Sequence, residues 1–304
     1  MRKSPPMTAY RGRFAPSPTG PLHFGSLVAA VASYCEARVH GGEWLLRMED
    51  LDTPRTAPGA ADDILRTLER LGFAWDGEVI SQSRRAGAYA QALEHLRTQG
   101  RVFPCSCSRK EISDSTLNVD GERVYPGTCK HGLAPGREAR ALRLRVGDEA
   151  LGFEDAIQGP VRQDLARVIG DFVLRRADGI HAYQLAVVVD DAKQGITDIV
   201  RGADLLASTP RQILLQRLLA TATPNYAHVP VAINARGEKL SKQTLAAPIN
   251  SARGVEELVR ALRFLGQAPP ESLFRSSIDE VWAWALQNWG LAKVPRQRAL
   301  AVND

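Results

Sequence analysis

Apolar and polar positions along the first hundred residues follow the order strand, turn, helix, strand, helix. Residues 10–15, Tyr-Arg-Gly-Arg-Phe-Ala, read as a short strand stopped by the turn formers Pro16-Ser-Pro-Thr-Gly-Pro21. Ser26 to Arg38 is small and apolar without a breaker, which predicts a buried helix ended by Gly41-Gly42. Glu43 to Glu49 predicts a second strand, and Ala60 to Leu71 an amphipathic helix. That order opens a doubly wound, Rossmann-type α/β domain.

The character changes between about 101 and 150, where three Cys and several turn residues replace the long apolar runs. A small inserted module is expected there. Beyond it, His181 to Asp190 is a near-continuous β-branched run, the kind of strand a parallel sheet buries on both faces. Ser208-Thr-Pro is a cap-like start for a helix from Thr209 to Leu219. From Ser277, Ile278, Val281, Trp282, Ala285, Leu286 and Trp289 form an amphipathic stripe whose tryptophans are expected in the core. A base-stacking platform is the minority alternative. The expected division is therefore 1–100 and 151–246 as two halves of the catalytic-type α/β domain, 101–150 as the insertion, and 247–304 as a C-terminal helical subdomain.

Composition narrows the class. The 304 residues are 44% hydrophobic and 24% charged, enough for a sizeable core and unlike a disordered or fibrous chain. No apolar run reaches the ~18 residues of a membrane span. Met1-Arg-Lys-Ser-Pro-Pro lacks the apolar region of a secretory signal. Four Cys are too few for a disulfide scaffold, so a reducing, cytoplasmic location is expected. The net charge of +5 suggests a polyanionic partner. In a chain with 32 Arg and 7 Lys, Lys239 and Lys242 stand close together, as compact ammonium groups at a phosphate would.

Two constellations carry chemistry. Arg13-Phe-Ala-Pro-Ser-Pro-Thr-Gly-Pro-Leu-His-Phe-Gly-Ser26 lies at the first strand–helix junction, which faces the ligand crevice in an open α/β sheet. Gly25 lets backbone approach a ligand, the helix N-terminus offers N–H groups to phosphate, and His23 can donate beside them. Asn234-Ala-Arg-Gly-Glu-Lys-Leu-Ser-Lys-Gln243 is a polar loop with two ammonium groups and a hydroxyl. Such charge can stabilise oxygens on a phosphorus under attack. Neither the P-loop nor the Gly-x-Gly-x-x-Gly fingerprint is present.

Together these motifs resemble the two signatures of class I aminoacyl-tRNA synthetases, here His23-Phe-Gly-Ser26 and Lys239-Leu-Ser-Lys242. Arg13-Phe-Ala-Pro-Ser-Pro-Thr-Gly looks like the glutamyl subgroup; glutaminyl enzymes usually carry Glu where this chain has Ser17. Four further segments, starting at Arg47, Asp171, Tyr183 and Arg201, extend the resemblance over about residues 10–245. It implies ATP with Mg2+, held by His23, Gly25, Lys239, Ser241 and Lys242, with His23 and Lys242 catalytic. A glutamate pocket needs cations for two carboxylates and an acid for the ammonium. Arg13 and Arg201 fit the first need, Tyr183 adds a neutral donor, and Glu49 fits the second. The resemblance assigns those positions too, with Phe14, Ala15, Pro16 and Ser17.

Only 62 residues follow Lys242, so no full anticodon-reading domain is expected there. This is similar to the glutamyl-queuosine tRNA(Asp) synthetases, stand-alone paralogues of the catalytic core. That resemblance implies tRNA-independent activation of L-glutamate and its transfer to the queuosine base in the anticodon loop of tRNA(Asp). Charging of a tRNA 3′ end, and a non-catalytic glutamate- or tRNA-binding paralogue, are the alternatives. Within the insertion, Cys105, Cys107, Tyr125 and Cys129 resemble that group's structural zinc site. Zinc takes four tetrahedral ligands, and His131 rivals Tyr125 as the fourth. Cys35 is expected in the core.

Overall fold

The structure, a computed structural model, describes residues 9–113, 115, 117, 123–234, 236–240 and 247–302. The chain opens with β1 (Arg11–Phe14), α1 (Phe24–Val39), β2 (Glu43–Met48), α2 (Ala60–Arg70), β3 (Ile80–Ser81) and α3 (Ala86–Thr98). The first four are the elements the apolar pattern predicts; β3 and α3 are additional. β1 pairs with β2 and β2 with β3, all parallel, so α1 crosses over between neighbouring strands. His23 caps α1 in an extended conformation, and its Nδ1 accepts from the Ser26 N–H at 3.3 Å.

The middle of the chain adds β4 (Val102–Cys105), α4 (Arg109–Ser113), β5 (Ala141–Leu144), β6 (Ala150–Asp155), β7 (Gly159–Asp164), α5 (Leu165–Val168) and β8 (Val173–Arg175). β4, β5 and β8 form an antiparallel sheet, so the inserted module takes its third strand from beyond residue 150. β6 and β7 form a hairpin.

Next come α6 (Tyr183–Gln194), β9 (Asp198–Gly202), α7 (Thr209–Leu218), β10 (Asn225–Val229) and β11 (Val231–Ile233). β9 lies beside β10, parallel, and Tyr226 of β10 meets Asp155 of β6. The Thr197 N–H donates to the Arg11 carbonyl at 3.0 Å, which ties this four-stranded sheet to the first one. The two halves thus meet at β1 and β9, and the crevice opens beyond their C-terminal ends.

Two expectations are corrected here. The β-branched run from His181 to Asp190 is not a strand but the helix α6. A short apolar run buried all round has no periodicity to separate strand from helix. The helix buries Leu185, Ala186, Val187 and Val188, puts Asp190 and Asp191 in a buried ion network, and ends at Gly195 with φ 65°. The second concerns Ser208. Its backbone is already helical, because a 3-10 turn at Ala203–Ser208 runs straight into α7, and its side chain makes no cap bond. The hydroxyl instead accepts from Gln184 and Arg211.

The chain closes with α8 (Gly254–Phe264), α9 (Ile278–Asn288) and β12 (Ala299–Ala301), the last paired parallel with β11. α9 starts with a reciprocal Ser277–Glu280 capping box. Its Val281 and Trp282 are buried in the same core as α1 and β2, and the Trp282 indole N–H donates to the Leu71 carbonyl at 2.8 Å. Burial of each such side chain contributes roughly 1.5–3 kcal/mol, which anchors α9 to the core it shares with α1 and β2. Among the described residues, no helix is long and apolar enough to cross a membrane.

Candidate active site

The junction after β1 and the segment after β11 enclose one cavity of about 510 Å³, within the range of small-molecule sites. Arg13, Phe14, Ala15, Pro16, Ser17, His23, Gly25, Glu49, Tyr183, Arg201 and Lys239 all line it. Residues more than 200 positions apart in sequence therefore share one wall. Ser241 and Lys242 lie outside the described residues.

The two signature motifs touch. A Cβ at position 25 would sit 3.3 Å from the Leu240 carbonyl and equally close to the His23 ring, so Gly25 permits this approach. The Leu240 N–H donates to the Ala232 carbonyl at 2.8 Å, which sets the second motif against β11. Lys239 Nζ meets Asp204 at 2.5 Å, an ion pair the sequence did not suggest.

The charged wall is built by a buried network. Arg47, fully buried on β2, reaches Asp191 at 2.8 Å and Glu49 at 3.5 Å. Arg13 meets the same Asp191 oxygen at 3.3 Å. Asp190 accepts from Gln82, Arg85 and Tyr89. Burial raises the Asp191 carboxyl, but Arg13 and Arg47 outweigh it and hold the group below the usual carboxylate range. Burial pushes the Glu49 carboxyl up, and the two arginines only partly offset it. Burial, with Glu49 next, raises the Tyr183 phenol to about 12, so it stays a protonated donor.

Arg201 is held at two of its three guanidinium nitrogens. Its Nε donates to His228 Nε2 at 3.0 Å, and its Nη2 to Thr209 Oγ1 at 2.8 Å. Nη1 is buried with no hydrogen-bond partner among the described residues, in a side chain that lines the cavity. A buried guanidinium N–H left open next to a cavity fits a ligand carboxylate. His228 in turn meets Asp155 at 2.5 Å, with both side chains fully buried.

That pair gives the fold a pH dependence. Burial brings the His228 imidazole down to about 4; Asp155 and Asp204 oppose this and Arg201 reinforces it, while Tyr226 stacks on the ring. The depressed value means the unfolded chain binds a proton that the folded chain refuses between pH 6.5 and about 4. Stability therefore falls as pH drops through that window, by on the order of 3 kcal/mol from this residue. Glu49, raised by burial, acts in the opposite sense. The difference between wild type and His228→Gln in urea titrations at pH 7 and 4.5 reports the His228–Asp155 pair, since His228 also holds the Asp155 carboxyl low; parallel losses in both proteins would reject it.

The insertion holds a second cluster. The Sγ atoms of Cys105, Cys107 and Cys129 lie within 4.8 Å of one another. The Tyr125 hydroxyl is 3.5 Å from Cys105 Sγ and 3.9 Å from Cys107 Sγ, whereas His131 is exposed and outside the cluster. Tetrahedral zinc with 2.3 Å bonds separates its sulfurs by about 3.8 Å, and Cys107 and Cys129 are 3.6 Å apart. This donor set fits zinc. Arg143, which sequence reasoning missed, donates to Cys105 Sγ at 3.2 Å and lays its guanidinium over the Tyr125 ring at 3.8 Å. Cys35 is buried in the main core.

Comparison with known proteins adds the following. Residues 9–266 match the family described as tRNA synthetases class I (E and Q), catalytic domain. The chain is 63% identical to the Glutamyl-Q tRNA(Asp) synthetase of Dechloromonas aromatica, over 96% of this chain and 98% of that one. It is 55% identical to the protein of the same name from Geobacter sulfurreducens, over 97% of each. Among solved structures it resembles the glutamate-tRNA synthetase of Elizabethkingia anophelis, with a TM-score of 0.74 and 25% identity over 96% of this chain and 68% of that chain.

Proposed function

The chain belongs to the class I tRNA synthetases of the E and Q type, and from that premise we propose that it activates L-glutamate with ATP and transfers it to the queuosine base of tRNA(Asp). One observation carries the glutamate half: Arg13, Arg201, Glu49 and Tyr183 line the same cavity as His23 and Lys239. Two cations, an acid and a neutral donor match two carboxylates and an ammonium. The relatives' names carry the nucleic-acid half.

In this reading ATP enters as its Mg2+ complex. A glutamate α-carboxylate oxygen attacks the α-phosphorus, the bond to the β-phosphate oxygen breaks, and pyrophosphate leaves. His23 and Lys242 steady charge on the phosphates, with Gly25, Lys239 and Ser241 beside them; much of such catalysis is positioning and electrostatics. Arg13 and Arg201 take the substrate's carboxylates and Glu49 its ammonium. The backbone from Phe14 to Ser17 and the Ser17 hydroxyl complete the pocket. A queuosine hydroxyl then attacks the acyl carbon, an ester forms and AMP leaves. An unstacked anticodon-loop base can reach such a cleft.

The test is the position of the label. Incubation with ATP, labelled glutamate and tRNA(Asp) should place label on the anticodon loop, only when queuosine is present. Label at the 3′ end would favour the charging alternative, and no label a binding-only paralogue.

The cysteine cluster, on the same reading, holds one structural Zn2+ through Cys105, Cys107, Cys129 and Tyr125. The metal would cross-link β4 to the loop at 125–129. Purified protein should contain about one zinc per chain by elemental analysis, and Cys107→Ser should lose it. Undiminished zinc in that variant would remove Cys107 from the site.

A further inference from the structure

The residues that hold Arg201 form a chain with a defined proton order. Asp155 Oδ1 accepts three backbone N–H groups, from Ile157 at 3.0 Å, Gln158 at 2.8 Å and His228 at 3.1 Å. Its Oδ2 faces His228 Nδ1 at 2.5 Å. A carboxylate only accepts, so the Nδ1 proton belongs to the imidazole. In the neutral ring Nε2 is then a bare lone pair. It faces the Nε–H of Arg201, which can only donate, at 3.0 Å. Both requirements select the same tautomer. Thr209 Oγ1, 3.2 Å from Nε2, closes the arrangement by accepting from Arg201 Nη2. Tyr226 packs against it, its ring 5.4 Å from the guanidinium carbon and stacked on His228.

We propose that Asp155 and His228 are positioning residues for the amino-acid substrate: Asp155 fixes His228 as the Nδ1-protonated tautomer, and its bare Nε2 aims the Arg201 guanidinium at a substrate carboxylate. This rests on the reading that Arg201 receives glutamate. With Nε and Nη2 both engaged, the guanidinium cannot rotate, and Nη1 remains the donor left for a ligand. A surface arginine would spend binding energy on ordering its side chain; here that ordering is complete before substrate arrives.

Asp155→Asn tests the tautomer without changing shape. The amide oxygen stays with the three backbone N–H groups, so the amide NH2 occupies the place of Oδ2 and donates to Nδ1. The imidazole proton must then move to Nε2, where it points at the Arg201 Nε–H, donor against donor. In ATP–pyrophosphate exchange, this variant should raise KM for glutamate by about tenfold or more, with KM for ATP within about twofold. Imidazole 15N shifts should report Nδ1 protonation in the wild type and Nε2 protonation in the variant. His228→Gln, whose amide oxygen can replace Nε2 as acceptor, should restore the glutamate KM relative to His228→Ala. That pair decides the matter should Asp155→Asn fail to fold. An unchanged glutamate KM in Asp155→Asn, or equal values in the glutamine and alanine variants, overturns the proposal. Arg201→Ala separates the two layers: no effect there would remove Arg201 from the glutamate site, whereas an effect there with none in Asp155→Asn would reject only the positioning role.

Discussion

Arg201→Ala should lower kcat/KM for glutamate in ATP–pyrophosphate exchange by about a hundredfold to a thousandfold, with KM for ATP nearly unchanged. Arg201 is 4% exposed, and its Nη1 has no hydrogen-bond partner among the described residues. Removing one partner of a buried, hydrogen-bonded charge pair costs about 2–5 kcal/mol, and each 1.4 kcal/mol is a factor of ten. Arg201→Lys should recover only a small part, because a single ammonium nitrogen cannot stand at the separate positions from which Nε meets His228, Nη2 meets Thr209 and Nη1 faces the cavity. A melting curve separates this from misfolding, since His228 keeps its bond to Asp155 when Arg201 is gone. A loss shared equally by both substrates would place Arg201 in the scaffold and not in the glutamate pocket.

Replacing Arg47 with Met should destabilise the fold by about 3–5 kcal/mol, the cost of breaking a buried ion cluster by removing one member. Arg47 is fully buried and faces Asp191, Glu49 and Asp190. Arg13 still reaches Asp191 and Arg85 still reaches Asp190, which leaves Glu49 the most exposed to the loss. The pH dependence has a definite sign. In the wild type, Asp191 is held low, so its stabilisation is full above the ordinary carboxylate range and lost as pH falls through its folded value. Without Arg47 the folded carboxylates bind protons more readily, and acidification relieves them. Urea titrations at pH 7 and pH 5 should therefore show the gap between variant and wild type narrowing at the lower pH. A gap that stays constant would mean the lost packing, not the charge, sets the cost.

The parts of the molecule legible in sequence were those governed by local rules. The strand–turn–helix opening from Tyr10 to Arg38 follows from a proline-rich stop and an unbroken apolar stretch, and it forms β1 and α1. The amphipathic stripe that starts behind Ser277 likewise announces α9. The run at His181–Asp190 failed because its cue, β-branched residues buried on all sides, is common to strands and to enclosed helices. Two acids at its end, Asp190 and Asp191, were a signal for something other than a sheet interior. His228 gave no such sign: one histidine in the apolar stretch Tyr226-Ala-His-Val-Pro reads as ordinary core until Asp155 and Arg201 are seen beside it.

By itself the sequence determined which chemical groups the chain possesses and which elements its local patterns favour, because capping, turn formation and periodicity act over a few residues. Only the tertiary structure decided which groups meet: that Gly25 admits the Leu240 carbonyl, that Tyr125 and not His131 joins the three thiols, and that Arg201 is gripped from behind by His228. Those pairings span tens to hundreds of positions. They are set by tertiary pairing: His228 stands opposite Arg201 in the β9–β10 register, Tyr125 folds back onto Cys105 of β4, and Leu240 is tied to Ala232 of β11, none of which a local pattern encodes.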